Sequence, residues 1–209
     1  MSTLREISPF EISGNAIERI GHQWMLIAAA KPDGTVNAMT AAWGGLGFIW
    51  QQPVAFVFIR PQRCTKTFVE AASSFSLSFL GSEYRDALNY LGSVSGFEQP
   101  DKVANSGLTL AYSDAATPSS GSTSNNGAPS SSDSTSNNAA PASGGTPYFA
   151  EAELVLVCER LYQQDMLREC FLATENIDRF YDRIGDSEDF HTLYIAAITK
   201  ALACQRDAD

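Results

Sequence analysis

The stretch NAMTAAWGG at residues 37–45, read together with RPQRCTK at residues 60–66, sets the terms for this chain. The first puts an amide (Asn37), a hydroxyl (Thr40) and an indole (Trp43) into one short, turn-rich segment with Met39, Ala41, Ala42, Gly44 and Gly45. Small residues there let a flat ring approach the backbone. The second follows an apolar, β-branched and aromatic run at 53–59. It delivers two guanidiniums, a hydroxyl and an ammonium from Arg60, Arg63, Thr65 and Lys66. No Asp or Glu occurs from residue 34 to residue 69, although the chain carries a formal charge of −10. A site with flat apolar walls and a cationic, hydroxyl-lined end suits an aromatic ring joined to a phosphate. Helical spacing after Thr65 places the basic corner where a strand gives way to a helix, whose first N–H groups add to an anion site.

Working outward, WMLIAAA at 24–30, the turn signal KPDG and TVNAMTAAW at 35–43 read as two strands joined by a tight hairpin. PVAFVFI at 53–59 reads as a third, buried strand, and TKTFVEAA from Thr65 as a helix. FSLSFL at 75–80 alternates as a half-buried strand does, and a helix is expected over 83–91. EAELVLVCERLY at 151–162 and HTLYIAAITKALA at 191–203 are long strands, with ENIDRFYDRI between them as a helix. Strands on a hairpin-by-hairpin schedule with a few helices as plugs predict a mainly β fold, a barrel rather than a doubly wound sheet. No Gly-x-Gly-x-x-Gly follows a strand, which disfavours a doubly wound nucleotide-binding sheet.

Residues 113–147 are almost entirely Ser, Asn, Ala, Gly, Pro and Thr, with STSNN at 122–126 and again at 134–138. Such a segment has nothing to bury and is expected to be a disordered insertion within a single domain spanning 1–209. The roughly sixty residues after it are too few for an independent core. Cys64, Cys158, Cys170 and Cys204 are widely spaced and neither His22 nor His191 lies near one in sequence, so neither a metal site nor a disulfide framework is expected. Acids outnumber bases thirteen to six over residues 151–209, against nine to eight over 1–112. That excess disfavours nucleic acid and anionic membranes as partners. The longest apolar runs are too short to span a bilayer and the N-terminus shows no secretory signal, so a cytoplasmic location is the expectation.

In order and spacing, the two opening segments, SLSFLGSEYRDALNYLGSVSG at 76–96, DKVANSGLTL at 101–110, PYFAEAELVLVCE at 147–159 and HTLYIAAI at 191–198 resemble the flavin reductase family with the FMN-binding split-barrel fold. The resemblance implies an antiparallel barrel of Greek-key type, a homodimer with FMN in a groove near the subunit interface, and hydride transfer from NADH or NADPH to the flavin. A partner monooxygenase or another electron acceptor would take the reduced flavin. It also implies that Asn37, Met39, Thr40, Ala41 and Trp43 run along the ring system and ribityl chain. Arg60, Arg63, Thr65 and Lys66 match the phosphate-binding turn, and Ser95, Gly96 and Lys102 a second polar loop. Two departures stand out. Cys64 replaces an aromatic residue of the family, and Phe97 and Glu98 stand where an Arg-Asp pair follows the Ser-Gly.

His191 is a weak candidate for a proton role, because cofactor-driven hydride transfer needs no general acid or base. Asn37 has a second reading, closing the turn at 31–34. The cations have one too, as surface ion pairs with the acidic C-terminal third. The alternative function is a non-catalytic FMN-binding electron carrier or redox sensor of the same fold. A related split-barrel oxidase or haem-handling protein is a third reading.

Overall fold

The computed structural model describes residues 3–113, 145–181, 183–184 and 187–204. The expected insertion lies outside the described residues over 114–144, but both its edges are built into the fold. Tyr112 pairs with Pro147, the Ser113 amide donates to the Thr146 carbonyl, and Thr146 is buried.

Eight antiparallel strands make one sheet. They are β1 (Leu4–Ile7), β2 (Met25–Ala30), β3 (Val36–Ala41), β4 (Gly44–Ile49), β5 (Gln52–Ile59), β6 (Ser74–Leu80), β9 (Ala152–Asp165) and β12 (Thr192–Cys204). The short strands β7 (Leu110–Tyr112) and β8 (Pro147–Phe149) pair with each other, as do β10 (Arg183–Ile184) and β11 (Ser187–Glu188). The main order is β3-β2-β6-β9-β12-β5-β4, with β1 alongside β12. The edge strands β3 and β4 stand at opposite ends of this order, yet only Ala42 and Trp43 separate them in sequence. Two residues reach a few ångströms. The sheet must therefore curl until its edges nearly meet, which makes it a split barrel.

The inside of the barrel holds Met25, Ile27, Val57, Ile59, Phe75, Leu77, Phe79, Leu156 and Tyr194. Helix α2 (Cys64–Ala71) closes one end, inserting Cys64, Phe68 and Val69 into that core. A second core lies outside the wall. There α3 (Arg85–Ser93) and β8 pack Leu88, Leu91 and Phe149 against Leu26, Ala28, Ala38 and Val155. Strand β2 is thus buried on both faces, which is why MLIAAA shows no polar alternation. The helix α1 (Ala16–Glu18) runs into a wider turn over Arg19–Gln23 before β2.

Three expectations need correcting. The segment at 37–45 is mostly strand, and the chain bends only at Ala42 and Trp43. The residues after Trp43 form β4, which pairs along its whole length with β5 through a turn at Trp50 and Gln51. Both turn residues have positive φ (52° and 59°), as a two-residue hairpin requires, but neither is the Gly or Asn that signals such a turn in a sequence. Helix α4 covers only Glu175–Phe180 of the expected ENIDRFYDRI, because the chain leaves the helix at Tyr181. No described helix is long and apolar enough to cross a membrane.

Candidate functional site

The bend at Ala42–Trp43, the end of β5 and the start of α2 converge on one groove of about 580 Å³. Ten of the residues singled out in the sequence line it, namely Met39, Thr40, Ala41, Trp43, Arg60, Arg63, Thr65, Ser95, Gly96 and Lys102, as does His191. The others lining it are Ala42, Phe58, Gln62, Cys64, Ser93 and Val94, so no described Asp or Glu does.

Asn37 and Lys66 are not among the lining residues. Asn37 is buried beneath the groove, where its Oδ1 accepts from the Thr65 hydroxyl at 2.7 Å. Gly96 lies against it so closely that a Cβ there would sit 2.3 Å from Asn37 Nδ2. The amide therefore works from below, fixing α2 against β3 and leaving room for the 95–96 backbone alone. Lys66 turns its ammonium to Glu70, at 2.6 Å, and that carboxylate also accepts from the buried Tyr194 hydroxyl.

Two cations secure the C-terminal end of α3. Lys102, 2% exposed, donates from Nζ to the carbonyls of Leu91 (3.0 Å) and Val94 (2.9 Å), and Arg63 donates to the Gly92 carbonyl at 2.6 Å. Cations are favoured there because the last carbonyls carry the negative end of the helix dipole. Burial, with Arg63 adding to it, pulls the Lys102 ammonium down to about 8. Burial and the nearby Arg60 likewise lower Arg63. Thr40 donates its hydroxyl to the Leu88 carbonyl, holding the same helix over β3.

The end of β5 is organised by residues far along the chain. Arg60 meets the buried carboxylate of Asp189 at 2.5 Å and donates from its other terminal nitrogen to the Phe180 carbonyl. Gln62 Nε2 donates to the same Asp189 oxygen at 2.7 Å. Trp43, 40% exposed, meets His191 with ring centroids 4.9 Å apart, and Phe180 edge-on at 5.5 Å. His191 Nδ1 lies 3.1 Å from the Tyr181 hydroxyl. Burial first, and Arg60 next, pull its imidazole down to about 4, so it is neutral near pH 7.

No side chain caps the first turn of α2, and Cys64 and Thr65 of that turn line the groove. Burial raises the Cys64 thiol, so it is a packed neutral group rather than a thiolate. The groove thus combines the ring surfaces of Trp43 and Phe58, uncapped backbone N–H groups, and the partly free forks of Arg60 and Arg63. Its donor set and the lack of acids among its described lining residues fit a planar ring system carrying a phosphate, and its size is ordinary for a small-molecule site, roughly 300–1,000 Å³. Phe58, Gln62 and Asp189 went unread in the sequence. Gln62 sits within RPQRCTK, and its place between two arginines was the one available signal.

No protein-family model matches the sequence, and comparison with curated proteins finds no match. Solved structures do match. An FMN-binding domain of a flavin reductases-like enzyme from Shewanella baltica superposes with TM-score 0.59 at 17% identity, over 97% of this chain and 78% of that one. The flavoredoxin of Desulfovibrio vulgaris gives 0.55 at 19%, over 88% and 69%. An NADH:FAD oxidoreductase of Streptomyces globisporus, solved with NAD and FAD fragments, gives 0.50 at 12%, over 89% and 85%. At such identities the likeness concerns the backbone, and on that ground the chain has the split-barrel fold of the FMN-binding, flavin reductase-like proteins.

Proposed function

We propose that the groove holds FMN and that the protein is an oxidoreductase in which hydride passes from NADH or NADPH to the flavin. The observation that carries this reading is the convergence, in one groove that no described Asp or Glu lines, of the Trp43 bend with the uncapped start of α2 and the Arg60–Arg63 corner. Bound there, the flavin would supply the hydride-accepting ring. The chain's own residues do the rest. Arg60, Arg63 and the first N–H groups of α2, that of Thr65 among them, hold the phosphate, and Met39, Thr40, Ala41 and the Ser95–Gly96 backbone flank the remainder. Trp43, Phe58 and the neutral His191 offer apolar ring surface that keeps water from the reacting faces.

In this reading Asn37 and Lys102 serve the cofactor indirectly, by fixing the backbone around it, and Lys66 steadies α2 through Glu70. A second copy of the chain covers the outward face of β4, β5, β12 and β9. Phe56, Phe58, Leu193, Ile195 and Tyr162 share that face by register, and Phe58 carries it into the groove. An electron acceptor, a monooxygenase among the candidates, takes the reduced product.

The test is an absorption spectrum of the purified protein, with FMN added if it is colourless, before and after anaerobic NADH and then NADPH. Paired flavin bands that bleach with either nucleotide are expected. Flavin bands that persist with both nucleotides, yet bleach with a reduced redox protein, would assign an electron carrier instead. No FMN binding at all removes the reading.

A further inference from the structure

We infer that Asp189 is a positioning residue for the anionic end of the groove, acting through Arg60 and Gln62. Its side chain is fully buried, and one oxygen, Oδ2, accepts from both Arg60 (2.5 Å) and Gln62 (2.7 Å). Those two donors line the groove, while Asp189 does not. Arg60 is further held by the Phe180 carbonyl and lies 5.4 Å from the centre of the Tyr181 ring. A guanidinium has five N–H donors, so bonds to Asp189 and Phe180 leave others free for a ligand. Two long side chains, each costing rotamer entropy when a ligand immobilises it, are thus ordered in advance. The carboxylate that orders them is kept from the groove by the residues it orients. Its own charge is met by Arg60, so the pair presents directed donors rather than a bare positive field. Taking a negative charge away would by itself favour an anion, but Arg60 is partly exposed and solvent screens that gain. The lost orientation outweighs it.

The inference rests on the reading of the groove as a site for a phosphorylated flavin, and it makes Asp189 matter for the phosphate and not for the ring. The experiment measures FMN and riboflavin dissociation constants by fluorescence for the wild type, Asp189→Ala, Arg60→Met and the double variant. Asp189→Asn, isosteric and uncharged, is the second variant in case the alanine protein does not fold. FMN binding is expected to weaken by about ten- to a hundredfold in either Asp189 variant, the range for losing an oriented charge-assisted contact. Riboflavin binding should stay within about threefold, which also shows that the groove is intact. In the Arg60→Met background, removing Asp189 should change FMN binding little, because the residue it positions is gone. Parallel losses for FMN and riboflavin would reduce Asp189 to a structural ion pair, and unchanged or tighter FMN binding would overturn the inference outright. Both outcomes leave the flavin reading standing. A wild-type protein that binds neither flavin would sink that reading, and this inference with it.

Discussion

His191 shows how a side chain of catalytic type can be held neutral by its packing. Its ring lies against Trp43 and Phe58, its Nδ1 faces the Tyr181 hydroxyl, and the charged groups that reach it are Arg60, Arg63 and Asp189. The two arginines and burial outweigh the aspartate, so the folded chain holds the imidazole neutral down to about pH 4, against an ordinary value of 6.5. Between those values the unfolded chain binds more protons than the folded one. Stability is therefore fully present above pH 6.5 and is lost as pH falls toward 4. The contribution is on the order of 1–3 kcal/mol. Urea unfolding of wild type and His191→Gln at pH 7, 5.5 and 4.5 checks it. The variant should lose less stability on acidification, by about that amount. Parallel pH profiles would mean that the imidazole titrates normally, and so reopen a proton role for it.

Among the elements, strands were legible where their composition alone signals burial, as in MLIAAA and PVAFVFI. The alternating SFSLSFL, expected to be half-buried, is instead buried on both faces, because Ser76 and Ser78 bond to the backbone of Pro147 and Phe149. β4 was not legible, because GGLGFI carries three glycines and an exposed face, and its hairpin turn uses Trp50 and Gln51. The site followed the same division. Met39, Thr40, Ala41 and Trp43 come together with Arg60, Arg63 and Thr65 in one groove, since each set sits at its own strand end. Asp189 was invisible, because it meets Arg60 across 129 positions and no local pattern encodes that contact. The Ser95–Gly96 loop shows what elements impose on one another. Asn37 on β3 is locked by Thr65 on α2, and its amide fills the space a side chain at Gly96 would need. Gly96→Ala must displace that amide or the loop. It is expected to cost about 1–3 kcal/mol, the usual range for overpacking a filled site. A shift of the urea midpoint at unchanged slope would record it. A neutral result would mean that the loop moves freely, and that it gives no fixed wall to the groove.

Closure of the barrel decides where the site lies. The sheet curls because two residues must join its edge strands, and that seam exposes Trp43 beside the end of β5. The same curvature turns the outward faces of β5 and β12 away from the core. In register, Phe58 pairs with Leu193, and Phe56 with Ile195, which pairs in turn with Tyr162. On β4 the neighbours are Gly45 and Gly47, whose missing side chains leave Phe56 partly uncovered. Tyr162 is 42% exposed, and the other four are intermediate, an arrangement that leaves apolar surface in water. A second copy seated there would bury that face and, through Phe58, close one side of the groove. Ile195→Glu tests this, because Ile195 lies outside the barrel core and its replacement should leave the monomer folded. Sedimentation should show a wild-type dimer and a monomeric variant with unchanged far-ultraviolet circular dichroism. FMN binding should weaken in the variant by about tenfold or more, the loss expected when one wall of a site returns to water. A wild-type monomer that binds FMN tightly would show that each chain builds a complete groove alone. A variant that stays dimeric would place the contact on another face.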